Sequence, residues 1–192
     1  MRTTFVLFSG LPGTGKSALA EKLAQELKWP LLKIDDMAAC MPSGMDRNTT
    51  AFWDNTIAAL LLIAEAQLKL DISVIADSIF MNLDRYHAAE IARKCNARLV
   101  PVHTFISDEA AWKERVNARL LKSMPNEGAA SWEQVLDQQK WFRPWEPGTA
   151  LFVDTKLSLE ESYEGVRSCI CDPEMEFKSL PEIAFIPGKY HE

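Results

Sequence analysis

The segment Phe5-Val6-Leu7-Phe8-Ser9-Gly10-Leu11-Pro12-Gly13-Thr14-Gly15-Lys16-Ser17 combines an apolar strand, a glycine-rich turn and the start of an Ala/Leu-rich helix. Four of its residues satisfy the pattern G-x-x-x-x-G-K-[ST] of the phosphate-binding loop, or P-loop. The glycines let backbone N–H groups curve around a polyphosphate, and the following helix presents the positive end of its dipole to the anion. A chance match in a chain of this length has a frequency on the order of one per cent.

The motif predicts which residues surround a nucleotide. Lys16 can reach the β- and γ-phosphates, and the Ser17 hydroxyl is placed to ligate Mg²⁺. The predicted cofactors are therefore ATP and Mg²⁺, and the alternative is a glycine-rich turn that binds nothing. The residues predicted to form the nucleotide site are Gly10, Pro12, Gly13, Thr14, Gly15, Lys16, Ser17 and Ala18.

Length and composition restrict the class of protein. A chain of 192 residues suits one domain, and we predict a single domain over residues 1–192. The formal net charge of −6 disfavours broad binding to nucleic-acid phosphates. No signal peptide or membrane span is recognisable, and the four cysteines have no zinc-site spacing. We expect a cytoplasmic protein with no membrane partner.

Hydrophobic patterning predicts an α/β fold with a parallel sheet. Helical patterns separate five apolar strand candidates, at residues 5–8, 31–34, 72–77, 98–106 and 150–154. Residues 37–50 are predicted to be loop, or a short helix and loop, and residues 51–70 a helix that is apolar on most sides and largely buried. Pro101 predicts a bulge or an interruption of the fourth strand. A short lid is predicted at about 120–131, and a tail packed over the surface at 172–192.

Three aspartates follow predicted strands and are candidates for chemistry. Asp77 ends the third strand, where a carboxylate can hold Mg²⁺ directly or through water; the alternative is a helix cap. Asp35 and Asp36 follow the second strand, where a carboxylate near the γ-phosphate could take the proton of an acceptor hydroxyl. We predict Asp35 as the base, with Asp36 as a helix cap or a supporting partner.

Two arginines precede the predicted lid. Arg115 and Arg119 are four residues apart on a predicted helix and therefore share one face. Guanidinium groups at this position can clamp the charge that develops on a transferred phosphoryl group. The alternative is an exposed basic face paired with neighbours such as Glu114. Arg47 and Arg85 are weaker candidates for substrate contacts.

Taken together, the P-loop, Asp35-Asp36, Asp77 and Arg115-x-x-x-Arg119 resemble the polynucleotide-kinase-like P-loop kinases. This group is similar to zeta-toxin-type and antibiotic-phosphorylating kinases, and more distantly to gluconate, shikimate and adenylate kinases. The resemblance covers about residues 4–154. It implies a three-layer fold with strand order 2-3-1-4-5 and transfer of the ATP γ-phosphoryl group to a hydroxyl. By this similarity Asp35 is the general base, Asp77 serves Mg²⁺, and the two arginines belong to the lid.

Two departures from family patterns bear on the substrates. Polynucleotide kinases that resemble this chain carry an arginine three residues after the base, where this chain has Ala38. The guanine signature Asn-Lys-x-Asp is missing, which favours ATP over GTP. We therefore expect a kinase that acts on a small hydroxyl-bearing molecule, with nucleic acid disfavoured as a partner. The alternatives are a polynucleotide or nucleotide 5′-hydroxyl kinase, and an ATP-binding switch that is not a kinase. The predicted catalytic residues are Lys16, Asp35, Arg115 and Arg119.

Overall fold

A computed structural model of the chain describes residues 2–42, 44–123 and 129–181. Five parallel strands form one sheet in the order β2-β3-β1-β4-β5, which confirms the predicted fold class and strand order. The strands are β1 (Thr4–Ser9), β2 (Leu31–Lys33), β3 (Val74–Asp77), β4 (Arg98–Phe105) and β5 (Leu151–Asp154). The helices are α1 (Lys16–Leu27), α2 (Ile34–Cys40), α3 (Thr50–Leu68), α4 (Asn82–Lys94), α5 (Glu109–Lys122), α6 (Trp132–Trp141) and α7 (Leu159–Cys171).

Helices cover both faces of the sheet. Every residue of β1 and β3 is buried, which is typical of a parallel sheet packed on two sides. One face packs against α3 and α4 through a cluster that includes Phe5, Leu7, Leu60, Ala64, Ala76 and Ala88. The other face packs against α1 and α7 through a cluster that includes Val6, Phe8, Leu19, Leu23, Tyr163 and Val166. The chain therefore forms three layers, and the carboxyl ends of the strands open on one common edge.

A third apolar cluster lies at that edge of the sheet. It joins α5 and α6 to Leu11 of the glycine-rich turn, and its buried members are Leu11, Ile106, Trp112, Val116, Trp132, Val135 and Phe142. Burying a large apolar side chain contributes about 1.5–3 kcal/mol to stability. The two helices on either side of the predicted lid thus share one apolar cluster with the turn. Residues 124–128, the centre of that lid, lie outside the described residues.

Strand β4 runs through Pro101 without a bulge. The N–H of Arg98 donates to the Thr3 carbonyl, so the backbone N–H groups of residues 98, 100, 102 and 104 point toward β1. The backbone nitrogen of Pro101 therefore points toward the side of β5. Pairing with β5 begins only at Val102. The missing N–H of the proline therefore falls just before the second ladder starts and removes no hydrogen bond, and the expected bulge or interruption does not occur.

Two predicted segments differ from the structure. Helix α2 begins at Ile34, directly after β2, so that Asp35 and Asp36 lie in its first turn. The N-cap position is Lys33, and neither aspartate caps the helix, so the alternative role of Asp36 as a cap is wrong. Helix α3 is only partly buried, because its outer side faces solvent and Leu62 there is 68% exposed.

The chain after α7 packs over the surface as far as Pro181. The N–H of Lys178 donates to the Gly148 carbonyl at 2.9 Å, and Phe177 and Leu180 pack against the two main clusters. Residues 182–192, which complete the predicted tail, lie outside the described residues. None of the helices in the described part of the chain has the length and apolar content needed to cross a bilayer.

An imidazole is buried against the outer part of the sheet. His103 of β4 is 6% exposed and stacks with the rings of Phe105 and Phe142, while Phe152 packs edge-on. Burial, together with the nearby charge of Arg85, lowers the pKa of His103 to about 4. The folded protein therefore holds this side chain neutral at pH 7.

We expect His103→Phe to change how stability depends on pH. In the wild type, the unfolded chain binds a proton at His103 near its ordinary pKa of about 6.5, while the folded chain does so only near 4, so acidification through this interval destabilises the fold. The variant has no titratable group at position 103 and therefore does not lose stability in this way. Its unfolding free energy, relative to the wild type, should rise by about 3 kcal/mol between pH 7 and pH 4.

Urea denaturation of both proteins across this pH range measures the difference. Asp84, whose pKa burial raises to about 6, acts in the opposite direction but is present in both proteins and cancels. A difference between the two proteins that does not change with pH would contradict the assignment of a buried neutral imidazole.

Candidate active site

The glycine-rich turn between β1 and α1 adopts a conformation that only glycine suits. Gly13 and Gly15 have positive φ angles of 82° and 81°. At Gly10, with φ 150°, a Cβ atom would lie 2.5 Å from the carbonyl oxygen of Thr104. Gly15 occupies the N-cap position of α1, so the first N–H groups of the helix have no partner within it and face the turn. The loop is therefore shaped to bind an anion at the start of α1.

Side chains from outside the loop hold its carbonyl groups. The indole N–H of Trp112 donates to the Pro12 carbonyl at 2.8 Å, and the Thr155 hydroxyl donates to the Thr14 carbonyl at 2.9 Å. The Thr14 hydroxyl lies 2.7 Å from the Leu11 carbonyl and 2.8 Å from the hydroxyl of Thr104. These contacts turn the loop carbonyls away from the ligand side.

Sequence reasoning missed the three residues that support the loop from outside. Trp112, Thr104 and Thr155 lie on α5, at the end of β4 and just after β5, about ninety or more positions along the chain from the loop in each case. The only local signal is that Thr104 and Thr155 each stand at the end of a predicted strand, at the edge where a parallel sheet binds its ligands.

A cavity of about 370 Å³ lies in front of the loop. Most of the predicted site residues line it, namely Gly13, Gly15, Lys16, Ser17, Ala18, Asp35, Arg115 and Arg119. Glu21 and Lys33 also line it and were not predicted. Gly10, Pro12 and Thr14 contribute to the shape of the loop rather than to the cavity wall. The structure thus brings together residues from the loop, α1, α2 and α5.

Asp77 lies beneath this cavity at the end of β3. It is 4% exposed, and burial raises the pKa of its carboxyl group, an effect that Lys16 and Ser17 oppose and the charge of Asp35 reinforces. Its Oδ1 atom is buried and has no hydrogen-bond partner among the described residues. A buried, unpartnered carboxylate oxygen beside a serine hydroxyl fits the ligand set of a Mg²⁺ ion, which prefers oxygen atoms and retains waters.

The alternative role of Asp77 as a helix cap does not fit the structure. The next helix, α4, begins at Asn82, and its N-cap position is Met81. Residues 78–80 separate Met81 from Asp77. The carboxylate is therefore not used by a helix end.

The two carboxylates of α2 have different surroundings. Asp35 Oδ2 lies 3.1 Å from Arg119 Nη2, and both side chains are about half exposed. Asp36 faces Lys33, with Oδ1 3.8 Å from its Nζ atom, and its side chain is 71% exposed. Asp35 lines the cavity and Asp36 does not. This placement favours Asp35 over Asp36 as the group that could act on a ligand.

Both arginines of α5 line the cavity. Arg115 Nη1 donates to the hydroxyl of Thr155 at 3.3 Å, and this hydroxyl in turn donates to the loop at Thr14. Arg119 pairs with Asp35. Neither guanidinium forms an ion pair with Glu114 in the described part of the chain, so the exposed-face alternative is not supported.

A lysine at the end of β2 adds a further positive charge to the cavity. Lys33 Nζ lies 2.8 Å from the Glu21 carboxylate of α1, and this hydrogen bond raises the pKa of Lys33. Lys33 is also in register with Asp77 on the neighbouring strand. The ion pair between Lys33 and Glu21 therefore links β2 to α1 at the cavity wall. Lys33 was not predicted as a site residue, and the one sequence feature that could have indicated it is a charged residue at the end of an apolar strand.

The weaker candidates Arg47 and Arg85 do not line the cavity. The Arg47 carbonyl accepts a hydrogen bond from the Trp53 indole at 2.9 Å, and its guanidinium lies over the ring of Phe52. Arg85 is 5% exposed and lies against aromatic rings. A direct contact of either residue with a ligand in this cavity is therefore not supported.

Comparison with known proteins gives a family and a set of similar folds. A family model described as an AAA domain matches residues 5–145. No curated protein sequence gives a significant match to the chain.

Three solved structures illustrate the similarity of fold. A candidate kinase from Chloroflexus aurantiacus J-10-fl has a TM-score of 0.69 at 22% identity, over 88% of this chain and 98% of that one. A gluconokinase from Sinorhizobium meliloti 1021 has a TM-score of 0.61 at 17% identity, over 85% and 88%. The Mycobacterium tuberculosis APS kinase CysC, in complex with AMPPNP and APS, has a TM-score of 0.61 at 18% identity, over 87% and 96%.

We expect Gly13→Ala to weaken nucleotide binding. A Cβ atom at this position would lie 2.6 Å from Val116 Cγ2, and the φ of 82° is strained for any L side chain. Distorting the loop should reduce the affinity for ATP by about 10- to 100-fold, as measured by isothermal titration calorimetry.

Gly165→Ala is the matched control. Gly165 lies within α7, and a Cβ atom there meets nothing within 4 Å. This variant should stabilise the fold by about 0.5–1 kcal/mol and leave the affinity for ATP unchanged. Equal ATP affinities for Gly13→Ala and Gly165→Ala would show that the loop does not bind the nucleotide.

Proposed function

The chain belongs to the AAA domain family, and we propose that it is a Mg²⁺- and ATP-dependent kinase. In this proposal the γ-phosphoryl group of ATP is transferred to a hydroxyl of a small-molecule acceptor. The observation that carries the proposal is the position of Asp35, a half-exposed carboxylate on the wall of the same cavity as Lys16, Ser17 and the two arginines.

A phosphoryl-transfer site needs positive charge around the phosphates and a proton acceptor for the attacking hydroxyl. Lys16 and the N-terminal turn of α1 provide positive charge. Lys16 is only 8% exposed and lies in the cavity wall. Arg115 and Arg119 add two guanidinium groups from α5. Asp35 reaches the same cavity from α2. A protein that only bound ATP would have no need for a carboxylate at that position.

The proposed reaction assigns a role to each of these groups. A hydroxyl oxygen of the acceptor forms a bond to the γ-phosphorus, and the bond to the β,γ-bridging oxygen breaks to release ADP. Asp35 accepts the proton of the hydroxyl. Lys16 and the arginines stabilise the charge on the transferred group. Mg²⁺, held by Ser17 and Asp77, would neutralise charge on the β- and γ-phosphates.

Asp35 must leave Arg119 before it can act as a base. Their ion pair joins two half-exposed side chains at 3.1 Å, and pairs of this kind contribute at most about 1 kcal/mol. The triphosphate is a stronger partner for a guanidinium than one exposed carboxylate. In the proposed cycle, nucleotide binding draws Arg119 toward the phosphates and frees Asp35 for the acceptor.

The comparisons and the charge of the chain support a small acceptor over a polynucleotide. The gluconokinase and the APS kinase are named for small molecules, and the latter was solved with an ATP analogue. The net charge of −6 and Ala38 disfavour a phosphate-bearing polymer. We propose that, within the kinases of this fold, the chain belongs to the polynucleotide-kinase-like and zeta-toxin-like family but acts on a small acceptor.

We expect Asp35→Asn to abolish transfer while retaining nucleotide binding. The amide is of similar size but cannot accept the hydroxyl proton, so acceptor-dependent turnover should fall by about 10²- to 10⁴-fold. The affinity for ATP should stay within about threefold, because the exposed ion pair with Arg119 contributes little. ATP consumption with pooled sugars, nucleosides, hydroxyl-bearing antibiotics and 5′-hydroxyl oligonucleotides measures the turnover.

Asp36→Asn is the matched control, since Asp36 is the next residue on the same turn but lies outside the cavity wall. It should retain turnover within a few-fold. The reverse result would make Asp36 the base. Slow ATP hydrolysis that no acceptor pool stimulates, and that Asp35→Asn does not change, would favour a nucleotide-dependent switch and refute the kinase proposal.

A further inference from the structure

The segment that follows Asp77 has a strained backbone. Residues 78–81 connect β3 to α4, and within them Phe80 has a φ of 50° while its side chain is 1% exposed in the core. A bulky residue with positive φ is uncommon and persists only where the surrounding structure holds it. We call residues 78–81 the post-β3 segment.

Hydrogen bonds hold the post-β3 segment on both sides of Phe80. The Ser78 N–H donates to the Phe8 carbonyl at 3.2 Å, and the Ile79 carbonyl accepts from the Ser9 hydroxyl at 2.8 Å. The Met81 N–H donates to an Asp84 carboxylate oxygen, also at 2.8 Å. The segment is thereby fixed to β1 at one end and to α4 at the other.

The strained residue itself is held by an arginine. Arg85 Nε donates to the Phe80 carbonyl at 2.8 Å, and Arg85 is only 5% exposed. Its guanidinium lies over the ring of Phe142 at 5.0 Å and over that of Trp145 at 4.7 Å. Both rings belong to the chain that follows α6, the helix after the predicted lid. Arg85 thus connects the post-β3 segment with the return from the lid.

Among the described residues, Arg85 feels the charge of Asp84 but forms no hydrogen bond to a carboxylate, and its buried Nη2 atom has no hydrogen-bond partner. Burial lowers the pKa of Arg85 to about 10, against the opposing charge of Asp84, so the side chain stays charged at neutral pH. A buried charge without such a partner is unfavourable, and an apolar side chain would fill the same space more stably. An apolar side chain could pack beside the two rings but could not make the hydrogen bond to the Phe80 carbonyl.

We propose that Arg85 is a positioning residue for the Mg²⁺-nucleotide site. By holding Phe80, it fixes the backbone that leaves Asp77, and therefore the direction of the Asp77 carboxylate toward Ser17. It acts through Asp77 and does not touch the ligand, since it does not line the cavity. The inference rests on the proposed function, because it assumes that Asp77 and Ser17 serve Mg²⁺.

The test compares the affinity for AMPPNP with Mg²⁺ and with EDTA. In the wild type, Mg²⁺ should tighten binding. The dissociation constant in EDTA divided by that in Mg²⁺, called the Mg²⁺/EDTA ratio below, measures the contribution of the metal. Arg85→Met keeps an unbranched side chain beside the two rings but removes the hydrogen bond. It should lower this ratio by about tenfold, the size of effect that groups supporting a metal ligand have on metal affinity. Its dissociation constant in EDTA should stay within about twofold, because Arg85 does not line the cavity in front of the P-loop.

Four further variants make the test specific. Arg93→Met removes an exposed arginine from the same helix and should leave the ratio unchanged. Asp77→Asn should lower the ratio, and Arg85→Met added to it should have no further effect, since both changes act on the same ligand. Arg85→Lys retains the charge and a donor group and should restore part of the ratio. If circular dichroism shows that Arg85→Met does not fold, the ratio for Arg85→Lys should still lie below that of the wild type and above that of Asp77→Asn, and a wild-type ratio would overturn the inference.

A role of Arg85 in stability alone predicts a different result. Arg85→Met would then lower the melting temperature but leave the Mg²⁺/EDTA ratio at the wild-type value, and this outcome would overturn the inference while the proposed function stood. A wild-type protein whose nucleotide affinity does not respond to Mg²⁺ would overturn the metal role of Asp77, and with it both the proposed function and the inference.

Discussion

Hydrogen bonds and contacts from outside hold the glycine-rich loop open, and the rest of the site depends on them. The Pro12 carbonyl is bound by Trp112, the Thr14 carbonyl by Thr155, and Gly10 packs against the backbone of Thr104. With its carbonyls turned outward, the loop can present N–H groups and the start of α1 to an anion. Sheet order matters for this reason: it places the ends of β4 and β5 beside the loop.

Two carboxylates at this edge of the sheet have different environments. Asp77 is buried, with a raised pKa and an unpartnered oxygen, whereas Asp35 is half exposed and paired with Arg119. A buried carboxylate beside Ser17 suits a cation, and an accessible one on the cavity wall suits an acceptor. The sheet and α2 thus produce two different chemical groups from the same residue type, at positions that are close enough for their charges to interact.

Local patterns predicted the parts of the site that lie next to each other in sequence. The P-loop, the aspartates after β2 and β3 and the i, i+4 arginines were all recognisable, and the strand order followed from the resemblance that these residues carry. Contacts between distant segments could not be recognised, because no short sequence pattern encodes them. The hydrogen bond by which Thr155 supports the loop, for example, joins residues 141 positions apart. The continuous path of β4 through Pro101 depends on where β5 begins to pair, which the sequence does not reveal.

The most direct test of kinase activity is to follow the γ-phosphoryl group itself. The protein is incubated with Mg²⁺, ATP labelled at the γ-phosphorus and an extract of small metabolites, and the labelled products are separated by chromatography. A kinase of the proposed kind moves the label to an organic phosphate ester, in an amount that grows with the extract. Label recovered only as inorganic phosphate, at a rate independent of the extract, would contradict transfer to a hydroxyl acceptor.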